Sequence, residues 1–179
     1  MSDEQRQQSK TGERQYLYSP WRIEYILGEK ADDCIMCRYQ QLGSDRENLI
    51  IHRAEFCYVM LNRYPYNNGH LMIVPYEHKC CLSELSSATW KEMTYLMKES
   101  EAIMKRTYHC EGLNIGINLG AAAGAGIAEH LHVHIVPRWQ GDSNFMSVVS
   151  GLRVIPESFE SAFDKLSPEF ANLKPCKEF

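Results

Sequence analysis

Three histidines at alternate positions, His130, His132 and His134, are separated by the apolar residues Leu131 and Val133 and followed by Ile135 and Val136. Imidazole serves as base, acid, nucleophile or metal ligand near neutral pH. In a strand, residues i, i+2 and i+4 share a face. That pattern predicts three imidazoles on one side and Leu131, Val133 and Ile135 packed into a core on the other. A polar set of this kind on a sheet needs partners, so a cleft or a ligand is expected there.

Two further constellations carry chemistry. Cys34-Ile35-Met36-Cys37 is a CxxC pair, whose bite suits a tetrahedral metal but supplies half of a site. Gly120-Ala121-Ala122-Ala123-Gly124-Ala125-Gly126 is a small-residue loop. Its glycines, Gly124 and Gly126 among them, would let backbone amides approach a phosphate closely. After the histidine strand, Arg138 can meet phosphate oxygens, and Trp139 can stack on a base or cap the core.

The elements that position these residues follow from periodicity and turn chemistry. Asn48–Ile51 and Phe56–Leu61 read as strands around the polar turn His52-Arg53-Ala54-Glu55. Asn67-Asn68-Gly69 is a turn, and His70–Val74 is the next strand, ended by Pro75. Ser83 or Ser86 caps a long helix whose Leu85, Met93, Leu96, Met97, Ile103 and Met104 recur at helical spacing to about Thr107. Leu113–Asn118 is a strand, His130–Val136 the histidine strand stopped by Pro137, and Leu152–Ile155 a short last strand. Pro156-Glu157-Ser158 opens a C-terminal helix to about Leu166. Strands joined by short turns around one long helix imply an antiparallel, α+β architecture.

Composition sets bounds. The chain has 179 residues, 44% hydrophobic and 23% charged, enough for one buried domain. The expected division is a disordered tail at 1–15, a domain at 16–170 and a C-terminal tail at 171–179. A net charge of −4 gives no basic field for nucleic acid. No apolar run is long enough to span a membrane, and the polar N-terminus has no signal-peptide core. Seven cysteines, an odd number, fit reduced thiols in the cytoplasm. Cys57 reads as core packing; His52 and His109 read as surface residues. Cys80 and Cys81 read as substitute ligands or as buried apolar residues.

The run His130 to Trp139, the segment Leu61 to Pro75 and the stretch Asn114 to Gly120 together resemble the histidine-triad (HIT) superfamily of nucleotide hydrolases and transferases. Ser19-Pro20-Trp21-Arg22 and Pro137 to Met146 resemble its diadenosine tetraphosphate phosphorylase-like branch. The resemblance implies a meandering antiparallel sheet carrying one long helix and a C-terminal helix, usually paired as a homodimer. It assigns the nucleophile to His132, which would hold the nucleotide as a phosphoramidate. His134 would bond the reacting phosphate or help protonate the leaving group. His70 matches a histidine that supports the triad, Asn118 an asparagine at the phosphate, and Asn62 a residue on the ribose hydroxyls. For Asn62 and Asn118 a turn-stabilising role is the alternative, and for His70 a satisfied core histidine. His78 and His130 match zinc ligands of metal-containing relatives and complete a Cys34, Cys37, His78, His130 set for a structural zinc, with no organic cofactor. Many relatives carry Ser, Thr or Gln near Ala125 or Gly126, where this chain has none; either backbone amides suffice or the acceptor differs. The implied substrate is a nucleoside polyphosphate, cleaved with phosphate as acceptor. A hydrolase using water, a phosphoramidase and a non-catalytic nucleotide sensor are the alternatives.

Overall fold

The computed structural model describes residues 34–142 and 154–176. The expected tail at 1–15, the Ser19–Arg22 segment and Leu152–Arg153 lie outside them. Helix α1 (Ile35–Gln41) leads into strands β1 (Ile50–Arg53), β2 (Cys57–Leu61) and β3 (Leu71–Pro75). The long helix α2 (Ser87–Tyr108) follows, then β4 (Gly112–Ile117), β5 (Val133–Arg138) and helix α3 (Phe159–Ala171). The sheet is antiparallel throughout, in the order β1-β2-β3-β5-β4. The first three strands meander, and β5 returns to sit between β3 and β4. This is the α+β architecture expected.

Period-two alternation gives the sheet two different faces. Cys57, Val59, Leu61, Leu71, Ile73, Val133 and Ile135 point into the main core against Met93, Leu96, Ile103 and Met104 of α2. Ala162, Leu166 and Phe170 of α3 join the same core, an i, i+4, i+8 stripe. Tyr58, Met60, Met72 and Val74 face the other way and pack under Met36 and Tyr39 of α1. In the β3–β5 ladder Met72 stands opposite His134 and Ile73 opposite Val133. The histidines therefore share the α1 side, and Leu131, Val133 and Ile135 enter the core, as their spacing requires.

The α2 N-terminus is capped by Ser86, whose Oγ accepts from Thr89 N at 3.1 Å, and α2 ends at His109 in the left-handed region. Gly69, just before β3, has φ 69°, and a Cβ there would lie 3.0 Å from Met104 Cε. Glycine is thus required where this turn meets α2.

Several boundaries differ from the sequence reading. Strand β1 runs later, Ile50–Arg53, because Leu49 takes a positive φ of 61° and a register shift falls between Ile50 and His52. His52 lies in this strand, half-buried against Phe170, and is not a surface residue. Strand β5 begins at Val133 and continues through Pro137 to Arg138. The Pro137 carbonyl accepts from Asn67 Nδ2 at 2.9 Å. Its backbone therefore faces the β3 side, beyond the last β3–β5 pair, where no ladder donor is needed. Helix α3 passes Leu166 and contains Pro168, because burial of Phe170 outweighs the lost backbone bond. Val154 and Ile155 form no strand.

Glu92, buried in α2, accepts from the backbone amides of Glu55 (3.1 Å) and Phe56 (2.6 Å), tying the β1–β2 turn to the helix. Glu92→Ala leaves two amides unpaired and is expected to cost about 3 kcal/mol. A urea titration should show a lower midpoint at an unchanged m-value.

Candidate active site and metal centre

The histidines sit where β5 and the segment before it cross the end of β3. All of His70, His130, His132 and His134 are buried. Each is fixed by a partner that leaves one choice of proton position. A backbone carbonyl can only accept, and a backbone amide can only donate.

The carbonyl of Pro75 faces His130 Nε2 at 2.9 Å, so Nε2 carries the hydrogen and the lone pair is on Nδ1. The carbonyl of His130 faces His132 Nδ1 at 2.8 Å, so Nδ1 carries the hydrogen and the lone pair is on Nε2. The Tyr66 amide donates to His70 Nδ1 at 3.0 Å, so His70 Nε2–H donates to His134 Nδ1 at 3.0 Å. Neutral His134 then carries its proton on Nε2. Its ring stands edge-on to that of His132, centroids 4.7 Å apart. The pair thus combines an imidazole with its lone pair on Nε2 and a neighbour able to donate.

Burial pushes the His132 imidazole below its ordinary pKa, partly opposed by its bond to the His130 carbonyl. It pushes His130 down as well, against the Pro75 carbonyl. His70 is driven well below the ordinary value, first by burial and then by His134 and His132. Neutral rings are what a nucleophile and a metal ligand both require.

A pocket of about 170 Å³ opens on this side of the sheet. His132, His134, Asn62 and Gly126 line it, with an apolar wall of Ile35, Met36, Tyr39, Met60, Met72 and Ile127. Arg63, Tyr64 and Tyr66 complete it. A flat apolar group such as a base fits this wall, with the histidines beside it. Asn62 lines the pocket, and its Oδ1 accepts from Tyr64 N at 2.8 Å in a local turn.

Four other sequence candidates are placed elsewhere. Gly124 lies outside the pocket lining; its amide donates to Ala121 O at 2.9 Å, and its φ of 88° explains the glycine. Asn118 follows the edge strand β4 and is half-buried outside the lining. Arg138 is held by Asp142 (2.6 Å) and Asn114 (2.9 Å), so its charge is already met. Trp139 packs on the main core, its Nε1 directed at Tyr108 O at 3.4 Å. It caps the core and lies outside the pocket lining.

Cys34, Cys37, His78 and His130 converge, their donor atoms all within 4.8 Å of one another. Cys34 Sγ lies 3.3 Å and Cys37 Sγ 3.5 Å from His130 Nδ1, and Cys37 Sγ lies 3.2 Å from His78 Nδ1. The edges of a tetrahedron with zinc–sulfur and zinc–nitrogen bonds are roughly 3.3–3.8 Å, so the set fits a tetrahedral ion. The Pro75 carbonyl turns the His130 lone pair on Nδ1 toward the same point, the support expected behind a metal-bound imidazole. Cys80 and Cys81 are exposed and outside this set, neither ligands of it nor buried.

The apolar wall was missed in the sequence, although the signal was present. Tyr58 and Met60 on β2, and Met72 and Val74 on β3, alternate onto the histidine face once the strands are paired.

Residues 44–141 match the HIT domain family model. The chain is 36% identical over 166 residues to an AP-4-A phosphorylase of Mycobacterium tuberculosis, covering 88% of this chain and 85% of that protein. The chain belongs to the HIT domain family. It is an enzyme of that family acting on nucleotides. It is 30% identical over 146 residues to the adenylylsulfatase HINT3 of Arabidopsis thaliana, covering 81% of this chain and 68% of that one. A zinc-bound histidine triad family protein of Mycobacterium smegmatis has the same fold, with a TM-score of 0.62 at 23% identity, over 78% of this chain and 94% of that one.

The buried neutral histidines make stability depend on pH. His70 has a native pKa below the ordinary 6.5, so the unfolded chain binds more protons as pH falls below that value. The stability is complete above about 6.5 and is lost as pH falls toward the lowered native value. The melting temperature should be level from pH 8 to 7 and fall from pH 6.5 to 5. His70→Asn, which keeps an acceptor for Tyr66 N, should show a shallower fall; an unchanged profile would contradict the assignment.

Proposed function

We propose that this HIT enzyme cleaves dinucleoside polyphosphates such as diadenosine tetraphosphate through a nucleotidyl-histidine on His132, with phosphate as acceptor. The observation that carries the reading is the His132 Nδ1–H bond to its neighbour's carbonyl, which puts the lone pair on Nε2 in a ring kept neutral by burial. The likeness to a phosphorylase over most of both chains supports the substrate class.

In the first step Nε2 attacks the phosphorus next to the nucleoside. A P–N bond forms, a P–O bond breaks, and the nucleoside polyphosphate departs as an anion whose leaving oxygen accepts a hydrogen bond from His134 Nε2–H. In the second, a phosphate oxygen attacks the same phosphorus, the P–N bond breaks and Nε2 recovers its lone pair. The apolar wall takes the base and Asn62 faces the ribose. His70, anchored by the Tyr66 amide, positions His134.

Cys34, Cys37, His78 and His130 would hold a structural zinc, which would tie α1 to the segment that carries His132. A reducing, cytoplasmic compartment keeps the two thiols available for it. Among the described residues no helix is long and apolar enough to cross a membrane. Two copies would pair along β4, an edge strand that leaves Ile115 exposed, with Leu119 exposed just beyond its end. Sedimentation equilibrium is expected to give the dimer mass.

Product analysis tests the reaction. Diadenosine tetraphosphate with inorganic phosphate should yield ADP and ATP, and His132→Asn should lose at least about 10³-fold in turnover while still binding AMP. AMP and ATP formed regardless of phosphate would make water the acceptor. Persistent turnover in the variant would exclude the covalent step, and no turnover by the native chain would favour a phosphoramidate substrate or a sensor.

A further inference from the structure

The two residues enclosed by the CxxC bite, Ile35 and Met36, are both walls of the nucleotide pocket. One short segment therefore serves two ligands. Its cysteines face the candidate metal, and the dipeptide between them faces the space beside His132 and His134.

Helix α1 has seven residues and no side-chain cap at Cys34; a helix this short does not hold its shape alone. Its C-terminal end is fastened by groups independent of any metal. Arg53 donates to the carbonyls of Tyr39, Gln40 and Leu42, and Gln40 Nε2 donates to Tyr76 O. Arg63 Nε donates to Tyr39 Oη. At the N-terminal end, Tyr58 Oη donates to Met36 O at 2.9 Å. Tyr58 Oη also lies 3.7 Å from Met36 Sδ, and further side-chain contacts join Cys34 and Cys37 to His78 and His130. His130 also supplies the carbonyl that orients His132. A metal in this set would thus fix the pocket wall and the nucleophile from one point.

Resting on the zinc and nucleotide readings above, we propose that metal at Cys34, Cys37, His78 and His130 and nucleotide in the adjacent pocket bind cooperatively, coupled through Ile35 and Met36. Metal binding orders the Cys34–Cys37 turn, so a nucleotide meets a wall already in place. A nucleotide packed on Ile35 and Met36 holds the two thiols in ligand position, so the metal pays less of the ordering cost. Because the coupling is a free energy, each ligand must raise the other's affinity by one common factor.

The probes are Co²⁺, whose visible absorption reports tetrahedral S₂N₂ ligation, and AMP. AMP is titrated by calorimetry into full-length protein with and without Co²⁺, and Co²⁺ is titrated in a chelator buffer with and without saturating AMP. Co²⁺ should tighten AMP by about 5-fold or more, and AMP should tighten Co²⁺ by the same factor. If the stripped protein unfolds, the Co²⁺ titrations of folded, loaded protein still measure the coupling. Met36→Ala should keep the Co²⁺ spectrum, weaken AMP and shrink the common factor. Equal AMP affinities with an unchanged Co²⁺ affinity would overturn the linkage and leave the proposed reaction standing. Absence of a tetrahedral spectrum would overturn the metal reading and the linkage together; absence of AMP binding to loaded protein would overturn the nucleotide reading and the linkage together.

Discussion

The register of β5 against β3 is the constraint on which the site depends. With Met72 opposite His134 and Ile73 opposite Val133, the imidazoles lie on the α1 side and the aliphatic residues lie under α2 and α3. A slip of one residue would exchange the two sets. It would bury three imidazoles among Met93, Leu96 and Leu166 and expose Leu131, Val133 and Ile135. The penalty for that exchange is large on both counts, unpaired polar groups inside and lost apolar burial outside. The same alternation that builds the core therefore delivers the chemistry. The pairing also brings the end of β3 to the start of the histidine segment, where the Pro75 carbonyl meets His130.

Three histidines of one short segment become three different reagents because their partners differ. Carbonyls meet His130 on Nε2 and His132 on Nδ1, which leaves opposite nitrogens carrying the lone pair. His134 Nδ1 accepts a hydrogen bond from His70, itself oriented by a backbone amide. Backbone groups do not titrate, so these proton positions hold over the whole pH range in which the rings are neutral. A side-chain carboxylate in any of these places would bring a charge and favour imidazolium instead. Burial keeps the rings neutral, outweighing the carbonyls of Pro75 and His130, which by themselves would favour the charged form of His130 and His132.

Much of this was legible in the chain because it rests on strict local periodicity. The alternation at His130–Ile135 specified the face, and the helical stripe from Leu85 to Met104 specified α2. Ser86 and Ser158 announced the starts of the two longer helices. What escaped depends on partners distant in sequence. Pro137 was read as a stop because the local rule forbids proline in a ladder, yet at this position β3 has already turned away and Asn67 meets its carbonyl. The C-terminal helix runs past the expected end at Leu166 because Phe170 has a core to enter, which nothing local shows. Arg138 and Trp139 follow the histidines closely enough to be taken for ligands of phosphate and base. Only the tertiary fold shows that Arg138 pairs with Asp142 and that Trp139 packs on the main core, both outside the pocket lining. The CxxC motif advertised its cysteines and concealed that Ile35 and Met36 face the pocket.

A site built from buried neutral imidazoles must be held by contacts that do not themselves enter the chemistry. The turn Asn67-Asn68-Gly69, which delivers His70, shows how. Asn67 binds both Pro137 O and Asp142, which in turn holds Arg138. Asn68 donates to Glu157, whose carboxylate also accepts from Tyr108, Ser161 and Lys165. One carboxylate thus joins α2, α3 and the turn, and the lysine and the hydroxyls keep it below the usual carboxylate range in spite of burial. Around this turn the charges are paired, Arg138 with Asp142 and Lys165 with Glu157, while the histidine face carries neutral rings. The division keeps carboxylates out of the pocket lining, where His132, His134 and Asn62 stand beside the cationic Arg63, so an anion that enters meets hydrogen-bond donors and one guanidinium.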